Sequence, residues 1–390
     1  MYKEKSAHFV YSFLLLFGLF SPTSINEVIQ NQFYIFSSLI FLVVFIGFVP
    51  KKMSSTSVLC FLAVNISLLL FTITSPFTEL TLGIFPNFFI LSLLFFCDLK
   101  TVTVSRGIRS FFLLASAVLI IFGLGVILQI KTITDFILSF YSSSYETLLS
   151  RMIAVLKPVG TFATHSVSAL FMFLFFFLNI YAYQKNKKPI YILFSVLFLI
   201  MLFFIRSNTS IFYLGIAFFL FFYLFRQGKK SIILFSILAT VVIYFLMSNY
   251  SLLNDTIDNY DFSTIFDSNA NGLNGRYAKG SILKPTIDYI LNNPFSPIGL
   301  SYSPNLYYTD SGFILYLLRG SIILMVAIYI GVFKLLYDNI LNKKLALFVF
   351  FIIFIFEIGY PILINFRMLF FLPFLVILLN HLDNYLYVKS

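Results

Sequence analysis

Long apolar stretches separated by short polar segments recur along nearly the whole chain. A helix that crosses a hydrocarbon core about 30 Å thick needs about 20 apolar residues. The pattern therefore predicts an all-α, polytopic integral membrane protein with about twelve transmembrane helices. The predicted spans are residues 7–24, 32–50, 55–75, 80–97, 111–130, 164–183, 189–206, 209–225, 231–248, 311–333, 345–363 and 368–382.

Every second connection between these spans is rich in lysine and arginine. Positive residues accumulate in short cytoplasmic loops, so the alternation fixes an orientation. With both termini in the cytoplasm, the inner segments hold 17 of the 26 basic residues and only four of the 15 acidic ones. We therefore expect a multi-pass protein of the cytoplasmic (inner) membrane. The net charge of +11 reflects this topology and does not indicate a nucleic-acid partner.

Two predicted outer connections are long, at residues 131–163 and 249–310. The second is rich in Asn, Asp, Ser, Tyr, Gly and Pro, and loops of this length are uncommon unless they are functional or disordered. Within it, residues 281–293 have the apolar spacing of an amphipathic helix lying on the membrane. The chain thus divides into spans one to nine (1–248), a large extracytoplasmic loop (249–310), and spans ten to twelve with a cytoplasmic C-terminus (311–390).

Unusual polar residues collect on the outer side of this topology. Burying an arginine at a helix centre costs at least ~2.5 kcal/mol, so such residues usually face a bundle interior, a cavity or a partner. Several guanidinium groups on one face suit an anionic ligand, because each can bind phosphate through two hydrogen bonds. The residues are Lys157, His165, Arg206, Arg276, Lys279, Lys284, Arg319 and Arg367.

Taken singly, these residues have simpler explanations. Arg319 can extend to the outer headgroups from inside its span. Arg206 can anchor a turn at the interface, Arg276 can be a solvated loop charge, and His165 can simply begin a helix. Only their common location favours a binding site.

The acidic residues are more ambiguous. Glu357 lies in the outer half of span eleven, and we expect it to pair with an arginine such as Arg367 or Arg319. Asp310 precedes Ser311 at a helix start, where both residue types are common N-caps. The aspartates of the large loop lack the spacing of a calcium-binding EF-hand. The sequence therefore predicts no metal site and no cofactor.

Five short motifs, in this order, resemble those of the Wzy-type O-antigen and capsule repeat-unit polymerases. They are "KPVGTFATHS", "RSNTS", "GRYAKGS", "NNPFSPIGLSYS" and "YTDSGFILYLLRGS". The resemblance implies a membrane glycosyltransferase that uses oligosaccharide repeat units carried on undecaprenyl pyrophosphate. It would polymerise them into lipopolysaccharide O-antigen or capsule at the outer face of the membrane. A chain-length regulator and a flippase would be its protein partners, besides membrane lipid.

The resemblance also implies roles for individual residues. Arg206, Arg276 and Arg319 would hold the pyrophosphate leaving group. The related O-antigen ligases carry a histidine near the end of the long loop, where this chain has Asp310 and Ser311. This departure favours a polymerase over a ligase.

The chemistry of the residues agrees with such a reaction. A pyrophosphate leaves without a strong acid, and arginines can stabilise the developing charge. His165 or a carboxylate such as Asp310 could deprotonate the attacking sugar hydroxyl, and the sequence leaves both open. The expected substrate-binding residues, several of which offer aromatic rings to a sugar chain, are Lys157, Tyr277, Lys279, Tyr302, Tyr308, Glu357 and Arg367.

A transporter, for example a flippase for lipid-linked oligosaccharides, is the alternative of another class. It would be expected to show internal repeats, helices broken near the midplane and charges in both halves of the bundle. This chain has one dominant outer loop and outer-biased charges, which favours the polymerase.

Overall fold

The computed structural model describes residues 18–20, 40, 42–44, 46–47, 49–102, 107–141, 146–162, 164–225, 283–306 and 311–384. All the regular elements in these ranges are helices. Two isolated β-bridges pair Lys51 with Cys97 and Leu80 with Ser301. The predicted spans at 7–24, 32–50 and 231–248 lie largely or wholly outside the described residues.

The α-helices are α1 (Ser55–Thr74), α2 (Phe85–Leu94), α3 (Gly107–Ile127), α4 (Lys131–Tyr141), α5 (Glu146–Ala154), α6 (His165–Asn186), α7 (Pro189–Ile205), α8 (Asn208–Phe225), α9 (Lys284–Asn292), α10 (Gly312–Asn339), α11 (Lys343–Phe356) and α12 (Phe366–Asn384). Single turns of 3₁₀ helix lie at Leu82–Ile84, Gly160–Phe162 and Ile362–Ile364.

Five of the described helices, α1, α3, α6, α10 and α12, are long and apolar enough to cross a membrane. The segment Leu82–Leu94 and helix α7 are shorter apolar helices. The described part of the chain is therefore all-helical, and the protein is embedded in a membrane through several passes. The count of twelve spans and the orientation of the termini stay predictions.

The described residues refine one predicted connection and shorten one predicted span. The connection at 131–163 contains α4 and α5, whose apolar side chains Ile137, Leu149 and Met152 form one buried cluster. Span eleven ends early, because α11 stops at Phe356 and a turn precedes Pro361. Proline disfavours helical geometry at the residue before it, which explains the interruption of this apolar run. The helix predicted at 281–293 is confirmed over Lys284–Asn292 as α9, and its position on the membrane stays a prediction.

The chain forms two compact units. The first contains residues 1–21, 27–112 and 275–390, and the second contains residues 22–26 and 113–274. Within the first, α10 packs along α1 and α11 and contacts α9, while α12 contacts α2. Within the second, α6 packs along both α7 and α8, and α4 packs against α5.

Burial distinguishes helices that look alike in sequence. In the apolar windows of α6 and α12, 89% of the residues are buried, whereas the value for α1 is 33%. Helix α1 leaves Leu59, Ile66 and Ile73 exposed, as a helix that faces lipid does. The central helices are apolar all round, so only their packing shows that protein surrounds them.

Candidate functional site

The structure describes seven of the twelve candidate site residues. Arg276, Tyr277, Lys279, Tyr308 and Asp310 lie outside the described residues. Of the others, three belong to the second unit and four to the first. The second unit holds Lys157, His165 and Arg206, and the first holds Tyr302, Arg319, Glu357 and Arg367.

Lys157 and Arg206 meet at a pair of loop turns in the second unit. Leu156 has a left-handed backbone (φ 61°) after α5, and the N–H of Lys157 then donates to the Met152 carbonyl at 2.9 Å. Arg206 ends α7 with a left-handed backbone of its own (φ 48°). These two turns hold the cationic side chains side by side.

The side chain of each cation donates a hydrogen bond to a backbone carbonyl of the loop that carries the other. The Nζ atom of Lys157 donates to the carbonyl oxygen of Arg206 at 3.2 Å, and Nη2 of Arg206 donates to the carbonyl of Val155. Burial lowers the pKa of the Lys157 ammonium, and the nearby Arg206 guanidinium lowers it further. We call this pair of residues the Lys157–Arg206 centre. It concentrates positive charge where water is partly excluded.

The "RSNTS" motif has a clear local structure beside this centre. The Ser207 hydroxyl accepts from the N–H of Ser210 at 3.1 Å, and the Ser210 hydroxyl accepts from the N–H of Ser207 at 2.9 Å. This reciprocal arrangement resembles a capping box and starts α8 directly after Arg206. The motif thus forces a sharp reversal between α7 and α8.

His165 is the first residue of α6, with Thr164 as the N-cap. The prediction that it begins a helix is confirmed. It is partly exposed. The start of α6 is held next to Lys157, because the Ser168 hydroxyl donates to the Pro158 carbonyl at 3.0 Å. A base at this position would lie on a fixed element.

Arg319 is completely buried in the first unit. Its Nη1 atom donates to the Gly299 carbonyl at 3.0 Å and also to the Ser301 carbonyl. The main chain joins the same two segments, since the N–H of Ile298 donates to the Leu318 carbonyl at 2.9 Å. We call these contacts the Arg319 clamp. A side chain that extended to lipid headgroups would not make them.

The segment after α9 is fastened on its other side as well. Leu300 donates to the Thr72 hydroxyl at 2.8 Å, and Tyr302 donates through its N–H to the Glu79 carbonyl at 2.7 Å. Gly299 has φ +56°, and a Cβ atom there would lie 2.2 Å from the backbone nitrogen of Thr72. Glycine is therefore required for this close approach.

Helix α10 is broken directly after Arg319. Gly320 (φ −155°, ψ 24°) and Ser321 (φ 61°, ψ −167°) leave helical geometry, and the helix resumes beyond them. The Ser321 backbone occupies a region that is almost exclusive to glycine. Non-helical backbone at membrane depth is tolerated where protein surrounds it or water fills a cavity. The break allows the Leu318 carbonyl to accept from Ile298.

Glu357 is fully buried at the N-terminal end of α10. Its Oε1 atom accepts from the N–H of Leu363 at 2.7 Å, and its carbonyl oxygen accepts from the N–H of Gly312 at 2.7 Å. The hydroxyls of Tyr316 and Tyr329 lie close enough to interact with the same carboxyl. The described contacts of Glu357 thus differ from the expected pairing with an arginine.

Arg367 is also buried, with 1% of its surface exposed. Its Nη1 atom donates to the carbonyls of Gly18 and Leu19 at 3.1 and 3.0 Å, and its guanidinium lies 5.1 Å from the centre of the Phe366 ring. By contrast, Tyr302 is 40% exposed and can present its ring to a ligand. Arg319 and Arg367 are thus buried and donate to main-chain carbonyls, whereas Tyr302 is accessible.

Several residues that shape these sites escaped the sequence analysis. Thr72 looks like an ordinary member of span three, yet its hydroxyl holds Leu300. Gly320 and Ser321 interrupt an apolar run, and a Gly–Ser pair of this kind is the sequence feature that could have predicted the broken helix. Within the part of the chain that the structure describes, no three His, Cys, Asp or Glu residues lie together as a metal site would need.

Comparison of this chain with known proteins identified no related protein. No protein-family model, curated protein or solved structure matches this chain. Its assignment therefore depends on its own residues: an all-helical membrane protein with a paired cationic centre in one unit and a clamped, broken helix in the other.

Proposed function

We propose that this protein is a polysaccharide polymerase that joins undecaprenyl-pyrophosphate-linked oligosaccharide repeat units at the outer face of the cytoplasmic membrane. The growing chain would be transferred from its lipid carrier to the terminal sugar of another carrier. The products would be O-antigen or capsular polysaccharide. The ordered motifs of the chain support this proposal.

The observation that carries the proposal is the Lys157–Arg206 centre. Two positive charges held together repel each other, and the repulsion falls when a pyrophosphate lies against both. The Arg206 guanidinium can bind two phosphate oxygens, and the Lys157 ammonium offers a point charge beside it. On the predicted topology this centre is at the outer end of α7.

The reaction requires no cofactor. The oxygen of an acceptor hydroxyl forms a bond to the anomeric carbon, and the bond between that carbon and the pyrophosphate oxygen breaks. The hydroxyl proton passes to a base, for which His165 on α6 is the described candidate. The negative charge that develops on the pyrophosphate is stabilised by Lys157 and Arg206.

A flippase for lipid-linked oligosaccharides is the second candidate, and the break in α10 favours it. Discontinuous helices are a frequent feature of transporters, and this one was not anticipated from sequence. An O-antigen ligase would share the donor chemistry but use a different acceptor. The polymerase is preferred because the paired cations suit a pyrophosphate leaving group.

The test is polysaccharide chain length in cells complemented with Arg206 variants, at matched membrane abundance. Arg206→Gly keeps the left-handed backbone that ends α7 but removes the guanidinium, and Arg206→Lys keeps the charge but loses the planar fork. We expect loss of long polymer for glycine and shorter polymer for lysine. Wild-type chain lengths from Arg206→Gly would contradict the proposal.

A reconstituted assay separates the three activities. Purified protein in detergent, supplied only with lipid-linked repeat unit, should form longer lipid-linked chains if it is a polymerase. A ligase would need a lipid A acceptor. A flippase, reconstituted in vesicles, would move the substrate across the vesicle membrane without lengthening it.

A further inference from the structure

The first unit contains a cavity of 410 Å³ at the end that the charge pattern predicts to face the cytoplasm. Three lysines lie in its wall, at Lys52, Lys100 and Lys334. We call it the basic cavity. Its volume falls within the range of pockets that hold small ligands, about 300–1,000 Å³.

Hydrogen bonds fix the wall of the basic cavity. The N–H of Lys52 donates to the Phe96 carbonyl at 2.9 Å, beside the bridge between Lys51 and Cys97. The Asn339 side chain accepts from the N–H groups of Leu99 and Lys100 at 2.6 and 3.2 Å. Asn339 also donates to the Cys97 carbonyl, so the loop between α2 and α3 is held against α10. The backbone that carries the lysines is therefore ordered in advance.

The positive charges of this cavity are only partly neutralised. Lys334 forms an ion pair with Asp338 at 2.6 Å. Neither Lys52 nor Lys100 has a carboxylate within ion-pair distance in the described part of the chain, although Asp98 also contributes to the wall. Among the described residues, the Lys52 and Lys100 ammonium groups thus border the cavity without a carboxylate within ion-pair distance.

The pKa of the neighbouring Lys343 is affected by the same excess of positive charge. Partial burial lowers the pKa of Lys343, and both Lys100 and Lys52 lower it further, against an opposing effect of Asp338. Neighbouring ammonium groups repel each other and so lower each other's pKa. An anion bound between them would reduce this repulsion. This effect agrees with the geometry of the wall.

The start of α1 adds backbone donors to the lysines. Ser54 is the N-cap of α1, its hydroxyl accepts from the N–H of Ser57, and both serines belong to the cavity wall. The N-terminus of a 20-residue helix carries a partial positive charge and free N–H groups. Hydroxyls, N–H groups and ammonium groups together suit a phosphate.

We infer that the basic cavity binds the phosphate group of an anionic ligand on the cytoplasmic side. Phe95 and Leu335 in the wall would contact an apolar part of such a ligand. Two sources share this chemistry: the headgroup of an anionic phospholipid and a soluble phosphate compound. This site is independent of the Lys157–Arg206 centre and of the proposed reaction.

The experiment uses the purified, delipidated full chain. Native mass spectrometry counts the retained phosphatidylglycerol, with phosphatidylcholine as the uncharged comparison, and calorimetry measures inorganic pyrophosphate binding at constant ionic strength. The test variant is Lys52→Gln with Lys100→Gln. The control, Lys188→Gln with Lys344→Gln, removes two exposed lysines that are predicted to be cytoplasmic but lie outside the cavity wall.

We expect saturable binding of one probe, about tenfold or more weaker in the test variant and unchanged in the control. Saturation by phosphatidylglycerol alone identifies a lipid headgroup. Pyrophosphate binding that is weaker in the test variant identifies a soluble ligand, because binding at the Lys157–Arg206 centre would be the same in both variants and the wild type. Equal loss in both variants, or no saturable binding of either probe to the wild type, would overturn the inference. If the double variant unfolds, Lys100→Glu gives the same comparison, because Lys100 is exposed and its described hydrogen bond uses only backbone.

Discussion

The guanidinium of Arg319 donates a 3.0 Å hydrogen bond to the carbonyl oxygen of Gly299. This contact joins the first half of α10 to the segment that follows α9, and a second bond goes to Ser301. Because Gly299 also lies against the backbone of Thr72, the segment is held between α1 and α10. An arginine in the membrane is thus explained by backbone carbonyls that need a donor.

Arg319→Ala is expected to destabilise the first unit. It leaves the buried carbonyls of Gly299 and Ser301 without their donor, at a cost of about 2–5 kcal/mol. The buried thiols of Cys60 and Cys97 become reactive when this unit unfolds, so a thiol-reactive dye reports its melting temperature. We expect polymer in cells to fall in proportion to the protein lost. Normal stability with loss of polymer would instead give Arg319 a direct role in binding substrate.

Ser321→Gly is expected to stabilise the protein by about 1 kcal/mol. Its backbone (φ 61°, ψ −167°) costs a serine about 1–3 kcal/mol, and glycine adopts it without strain. The gain exceeds the loss of the weak bond from the N–H of Ile323, which is 3.3 Å long. Ser321→Ala is the matched control, because it loses the same bond and keeps the strain. A lower melting temperature for the glycine variant than for the alanine variant would disprove the strain.

Gly312→Ala and Glu357→Ala are expected to be strongly coupled. A Cβ atom at position 312 would lie 1.7 Å from Oε2 of Glu357, so the alanine must displace the carboxyl from its hydrogen bond with Leu363. When Glu357 is already alanine, this clash is absent. We expect the double variant to be at least 1 kcal/mol more stable than the sum of the single effects. Additive melting shifts would show that the two residues do not interact.

The charge on Lys157 predicts a pH dependence of stability. Burial and Arg206 lower its pKa in the folded state, so the charged form is less favourable there than in the unfolded chain. Between the lowered pKa and the ordinary value of 10.5, the unfolded state binds more protons, and stability therefore rises with pH. Lys157→Met removes this rise.

Thermal unfolding followed by circular dichroism from about pH 8 to 10.5 checks this expectation. The wild type should gain stability relative to Lys157→Met as the pH increases, since the other titrating groups are common to both. Arg206→Gly should reduce the effect without abolishing it, because burial is the larger cause. A constant difference between wild type and Lys157→Met across this range would show that the pKa is not lowered.

The positions of several elements could be predicted from local pattern. Runs of apolar residues gave α1, α6, α7 and α8 within a few residues, because the length of such a run is set by the thickness of the membrane. The spacing of apolar residues gave α9, and Ser311 was recognised as a helix start. These features depend on neighbours in sequence, which is why the sequence alone determined them.

The partners of the polar residues depended on tertiary structure. Arg319, Glu357 and Arg367 are charged groups within apolar surroundings, and sequence gives each the same default expectation of a charged partner. Their described side-chain hydrogen bonds go to main-chain groups instead: Glu357 accepts from nearby Leu363, whereas Arg319 and Arg367 donate to the distant carbonyls of Gly299 and Gly18. The sequence by itself determined an all-helical membrane chain; the packing of its segments decided which carbonyl or N–H lies within reach of each buried charge, because those contacts form only when distant segments meet.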